Sequence, residues 1–194
     1  MNYTKLSTEE ITNWLKINLT EKRFKHSLGT AQCAKELAFQ FGLDSDKAYI
    51  AGLIHDCAKC FPDEELRQII RKNIKVDSME IISNKTLHAP VGAYMAEKEF
   101  GVEDEEIISS IRWHTLGKLN MTPFEKIIFL ADKIEPLTRD ENYLKEAKRY
   151  IKEEKNLDKA MFESYKETIK SLIDRELAIC PLTIDIYNHL LNVN

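Results

Sequence analysis

Residues 48–59 read AYIAGLIHDCAK, and this stretch decides the reading of the whole chain. Seven small or apolar residues run into an adjacent His55–Asp56 pair without the polar alternation of a half-buried strand. Asp44 or Ser45 suits an N-cap, so a helix is expected from there to His55. An aspartate placed at the end of such an apolar run is costly to bury unless it is paired or coordinates a cation. Adjacent helix residues diverge by about 100°, yet from a helix end both side chains can reach one ion.

Working outward, the same helical periodicity extends in both directions. Ser7 and Glu10 have capping-box spacing and open a helix carrying Ile11, Trp14 and Leu15. Thr20 caps a second, whose apolar face is Phe24, Leu28, Ala31, Ala34, Leu37, Ala38 and Phe41, ending at Gly42. Pro62 suits a first turn before Leu66, Ile69 and Ile70. Further helices are expected over about 88–100, 104–114 and from Thr122–Pro123 to Asp132. Two more follow over about 141–153 and 157–178, and Pro181 and Thr183 precede a short last one, for which Thr183 suits the N-cap. No stretch alternates as a strand does. With 6 Gly, 5 Pro and no low-complexity linker, the expectation is an all-α bundle forming one domain over residues 1–194, with a core at about 20–135 and C-terminal helices at about 141–193.

Composition narrows the partners. A net charge of -4 argues against a protein that grips nucleic acid over a broad basic face, though not against a local anion pocket. No apolar run approaches the roughly 20 residues that cross a bilayer, and the N-terminus has no signal-peptide core. A cytoplasmic protein without a membrane partner is expected. Apolar helix faces make a homodimer plausible. Cys57 and Cys60 form a C-x-x-C, but no second close pair completes a zinc knuckle and no βαβ context supports a redox motif. All four cysteines are read as reduced.

Four of the five histidines lie at or within helices beside small or apolar residues: His26, His55, His88 and His114. One alone would be read as a core histidine with a hydrogen-bond partner. Together with Asp56 and Asp132, another acid at the end of an apolar helix face, they form a nitrogen and oxygen ligand set suited to first-row divalent metals. One aspartate can bridge two ions through its two oxygens. His189 lies apart and is read as structural, and Trp113 as packing beside His114.

The order His26, His55–Asp56, Asp132 resembles the H…HD…D pattern of the HD-domain phosphohydrolases, with Lys59 completing their H-D-x-x-K variant. The segments RFKHS (23–27), HDCAK (55–59), LHAPVGA (87–93), WHT (113–115) and LADKIEP (130–136) resemble more closely the YqeK family, bacterial hydrolases that cleave diadenosine tetraphosphate symmetrically. That resemblance spans about residues 8–191 and implies a single HD-domain helical bundle. It implies two divalent ions, iron in this family: His26, His55, Asp56 and Asp132 around one, and His88 and His114 completing a second that Asp56 bridges. A metal-activated water would then give two ADP.

Asp56 and Lys59 are the expected catalytic residues. Arg23, Lys59, Thr115, Arg139, Pro181 and Thr183 join His26, His88, His114 and Asp132 as expected nucleotide contacts. The family's arginine after I-E-P stands one place later here, as Arg139. Two other readings share these motifs: an HD-domain phosphohydrolase acting on a nucleoside monophosphate, a deoxynucleotide or an alarmone, and a non-enzymatic nucleotide-binding regulator. Against the regulator stands the intact ligand set.

Overall fold

The computed structural model describes residues 3–193, and within them every regular element is a helix. Ten α-helices follow one another: α1 Thr8–Asn18, α2 Glu21–Gln40, α3 Ser45–Ile54, α4 Asp63–Asn73, α5 His88–Lys98, α6 Glu105–Trp113, α7 Pro123–Ile134, α8 Lys145–Arg149, α9 Leu157–Asp174 and α10 Pro181–Val193. A 3₁₀ turn over Cys57–Cys60 follows α3, and a π-helical turn over Tyr150–Glu154 extends α8.

Caps explain most boundaries. Ser7 and Thr122 close full capping boxes with Glu10 and Glu125, while Thr20, Asp44 and Asp104 accept backbone N–H groups at the starts of α2, α3 and α6. Gly42 and Gly101 take positive φ just beyond α2 and α5, where a left-handed residue satisfies the helix end.

The core helices are α2, α3, α5, α6 and α7; α2 packs against both α3 and α7, and α6 against α3, α5 and α7. Helix α9 covers α7 and carries α8 and α10. The α2–α3 approach depends on Gly52. A Cβ there would lie 2.9 Å from the Ala31 Cα and the Thr30 carbonyl, so any larger residue would push apart the two helices that carry His26 and His55. Among the described residues no helix is long and apolar enough to cross a membrane.

Several boundaries differ from the sequence expectation. Pro62 caps α4 from outside instead of occupying its first turn. The helix expected over 141–153 begins only at Lys145, because Leu144 takes a left-handed conformation at φ 54. Helix α9 stops at Asp174, and Glu176 is again left-handed at φ 53. Pro181 and Thr183 lie within the first turn of the last helix, not before it. Thr183 therefore does not act as its N-cap; its side chain is buried and its N–H bonds to the Cys180 carbonyl.

Candidate metal centre

Three helix ends, two helix interiors and two carboxylates converge on one point. His26 comes from the second turn of α2, and His55–Asp56 from the residues just past α3. His88 opens α5, His114 follows α6, and Asp132 lies in the last turn of α7. All four histidines and Asp56 are buried. Sequence places each on its helix; the packing of α2, α3, α5, α6 and α7 brings them together.

Two ligand groups result, and Asp56 belongs to both. His26, His55 and Asp56 offer atoms within 4.8 Å of one another, as do Asp56, His88 and His114. Asp132 joins the first group, its Oδ1 2.9 Å from His26 Nε2 and 3.7 Å from His55 Nε2. Asp56 divides its oxygens: Oδ2 lies 3.7 Å from His55 Nε2, and Oδ1 lies 3.2 Å and 3.5 Å from His88 and His114 Nε2. Such separations suit neighbouring ligand atoms around an ion bound at about 2.1 Å.

The histidine tautomers point the same way. His26 Nδ1–H donates to Glu135 Oε1 at 3.0 Å, His55 Nδ1–H to the Gly52 carbonyl at 2.7 Å, and His114 Nδ1–H to the Ile111 carbonyl at 2.6 Å. With each Nδ1 carrying the proton, each Nε2 lone pair faces the centre. His55 Nε2 is buried and has no hydrogen-bond partner. His88 and His114 bring their Nε2 atoms to 3.1 Å, an approach that needs a proton or a cation to bridge two lone pairs. These residues fit a metal on donor chemistry and on geometry.

Protonation agrees. Burial alone would raise the Asp56 carboxyl, but the charge of His55 and the close His114 and His88 rings outweigh it and hold Asp56 well below the usual carboxylate range. Burial is likewise outweighed at Asp132, chiefly by the nearby His26 and His55 rings. Burial lowers His88 to about 4 and also lowers His114, so both rings are neutral near pH 7. His55 is shifted upward: burial opposes its charge, but Asp56 and Asp132 favour it more. A cation at its Nε2 would meet the same demand.

Of the cations expected to contact substrate, Arg23 Nη1 donates to Asp56 Oδ2 at 2.9 Å, and Arg139 donates twice to Asp132, from Nη2 to Oδ1 and from Nε to the carbonyl, each at 2.9 Å. Arg139 thus reaches the centre from its shifted position. Lys59 is half-buried, and the charges of Asp56 and Arg23 act on it most strongly. The Thr115 hydroxyl lies 3.2 Å from His88 Nε2 and 3.1 Å from His114 Nε2, at the mouth of the second ligand group. Pro181 is exposed and Thr183 buried; among the described residues neither forms a hydrogen bond to the cluster.

Two supporting elements are not marked in the sequence reading. Glu135 is fully buried, holds His26 in place, and accepts the Leu137 and Thr138 N–H groups and the Thr138 hydroxyl. Its approach depends on Gly29, where a Cβ would collide with the Glu135 carboxylate. Glu80, buried in the segment between α4 and α5, forms a forked pair with Arg112 at 2.6 and 2.8 Å. The signal for Glu135 was present, since a second acid follows Asp132 by three residues, the spacing that puts both on one helix face.

The chain that builds this centre matches the HD domain over residues 23–137. The chain belongs to the HD-domain family. At higher resemblance stand proteins named symmetrical bis(5'-nucleosyl)-tetraphosphatase. The one from Bacillus subtilis is 40% identical and is covered over 99% of its length and 96% of this chain; the one from Halalkalibacterium halodurans is 38% identical, over 93% and 91%. A crystal structure from Clostridium acetobutylicum, described as a predicted HD superfamily hydrolase involved in NAD metabolism, superposes with a TM-score of 0.89 at 38% identity, covering 97% of this chain and 99% of that one.

Proposed function

We propose that this protein is a metal-dependent hydrolase that cleaves diadenosine tetraphosphate at its centre to give two ADP. The observation that carries the chemistry is Asp56, one buried carboxylate whose two oxygens face two separate histidine groups. The near full-length likeness to symmetrical tetraphosphatases supports the substrate. We take the centre to hold two divalent ions, and the family resemblance favours iron.

His26, His55, Asp56 and Asp132 would hold one ion, and Asp56, His88 and His114 the other. Two divalent cations held there would supply Lewis acidity and acidify a water for attack on phosphorus. The chain's own residues do the rest. Asp56 aligns the two positions, and Glu135, Gly52 O and Ile111 O fix the rings. Arg23, Lys59 and Arg139 neutralise phosphate charge, and Thr115 offers a hydroxyl beside His88 and His114. Local cations are needed because the chain as a whole is acidic. The reading is of a cytoplasmic enzyme for a small dinucleotide.

The test pairs elemental analysis with product analysis. Two transition-metal ions per chain and ADP as sole product support the proposal. ATP plus AMP from diadenosine tetraphosphate, or no turnover by metal-loaded protein, would overturn it.

A further inference from the structure

We propose that Lys133 binds a phosphate of the substrate, forming with Arg139 a second cationic arm on Asp132 beside the arm that Arg23 and Lys59 form at Asp56. The proposal rests on the polyphosphate reading above. Each aspartate of the centre is attended by one arginine and one lysine. On Asp56 these are Arg23, at 2.9 Å, and the half-buried Lys59, which feels the Asp56 charge without forming an ion pair with it. On Asp132 they are Arg139, also at 2.9 Å, and Lys133.

Arg139 and His26 both engage Asp132 Oδ1. Lys133 Nζ stands 3.6 Å from Oδ2, beyond good hydrogen-bond range, and 3.8 Å from the centroid of the Phe129 ring. Its side chain is only 14% exposed. A ring face attracts an ammonium but satisfies its N–H donors poorly. Among the described residues no closer acceptor reaches Nζ. Other shielded lysines of the chain behave differently: Lys47 contacts Asp104 and Glu106 at 2.8 and 2.9 Å, and Lys126 contacts Asp158 at 2.5 Å. A sequestered ammonium with donors to spare, beside a metal-ligand cluster, is suited to an anionic oxygen that arrives with the substrate. Two arms on two carboxylates also suit a chain of phosphates cleaved in its middle, where charge must be neutralised on both sides.

The experiment uses the metal-loaded protein as wild type, Lys133→Met, Lys133→Gln and Lys133→Arg. Calorimetry measures binding of a diadenosine tetraphosphate analogue with a methylene at the central bridge; kinetics gives KM and kcat for diadenosine tetraphosphate; elemental analysis gives metal content. The expected result is analogue binding weakened at least about tenfold in the Met and Gln variants, with KM raised more than kcat is lowered. Metal content should be unchanged, and arginine should restore most of the loss. Unchanged analogue binding and KM in a folded Met or Gln variant would overturn the proposal. So would loss of metal in those variants, which would make Lys133 a support for Asp132. Failure of the wild type to bind the analogue would overturn the substrate reading and this proposal together, whereas wild-type binding that Lys133 does not affect overturns this proposal alone.

Discussion

The two halves of the metal centre are built differently. The half around His26, His55 and Asp132 rests on α2, α3 and α7, which pack directly on one another, and its rings are pinned by Glu135 and Gly52 O. The half around His88 and His114 rests on the start of α5 and the end of α6. His114 is pinned by Ile111 O, but His88 Nδ1 is buried without a partner. His88 is also reached through residues 74–87, an irregular segment tied to α6 by the Glu80–Arg112 fork. The first half is fixed by helix packing and its supporting hydrogen bonds. The second relies on one ion pair, on Asp56 and on whatever cation it binds. Metal loss should therefore begin at His88 and His114.

The largest effect should come from the residue the halves share. Asp56→Ala removes a ligand from both positions, and turnover should fall by more than about 10³-fold with loss of bound metal; full metal content in that variant would break the two-group description. Next, His88→Ala should lower the metal count from two per chain to one, while His26→Ala should disturb the better-supported position; equal losses in both variants would erase the contrast. Glu135→Gln should weaken metal affinity about 10- to 100-fold by loosening His26. Gly29→Ala should act in the same direction by displacing the Glu135 carboxylate, which a metal titration of the two variants side by side would check. Arg112→Met should destabilise the fold by about 2 kcal/mol in a denaturant melt, because it leaves Glu80 buried without its partner.

A last effect, seen only on acidification, concerns His88. In the metal-free protein His88 is lowered from 6.5 to about 4, so the unfolded chain takes up its proton first. Stability should then fall as pH drops from about 6.5 towards 4. His88→Gln should flatten that part of a thermal melt series, and an unchanged slope would assign the acid response to other groups.

The helices, most of their caps and the six residues that converge on the candidate centre were legible in the sequence because each depends on local spacing. Ser7, Thr20 and Thr122 cap helices whatever lies beyond them, and the His55–Asp56 pair stands out because an apolar run carries a charge at its end. Where the reading failed, the local signal was misleading or absent. Leu144 and Glu176 are left-handed without being glycine, and the α10 boundary placed Thr183 inside the helix instead of at its cap.

What the sequence determined by itself is the scaffold class and the inventory of donors, since periodicity and residue chemistry are local properties. Only the tertiary structure decided that Asp56 splits its oxygens between two histidine groups and that Glu135 supports His26 across Gly29. It likewise decided that Arg23 and Arg139 pair with different carboxylates and that Lys133 is held beside Asp132 with donors to spare. Those facts join residues up to 109 positions apart, as His26 and Glu135 are. They are fixed by how helices pack, which no local spacing encodes.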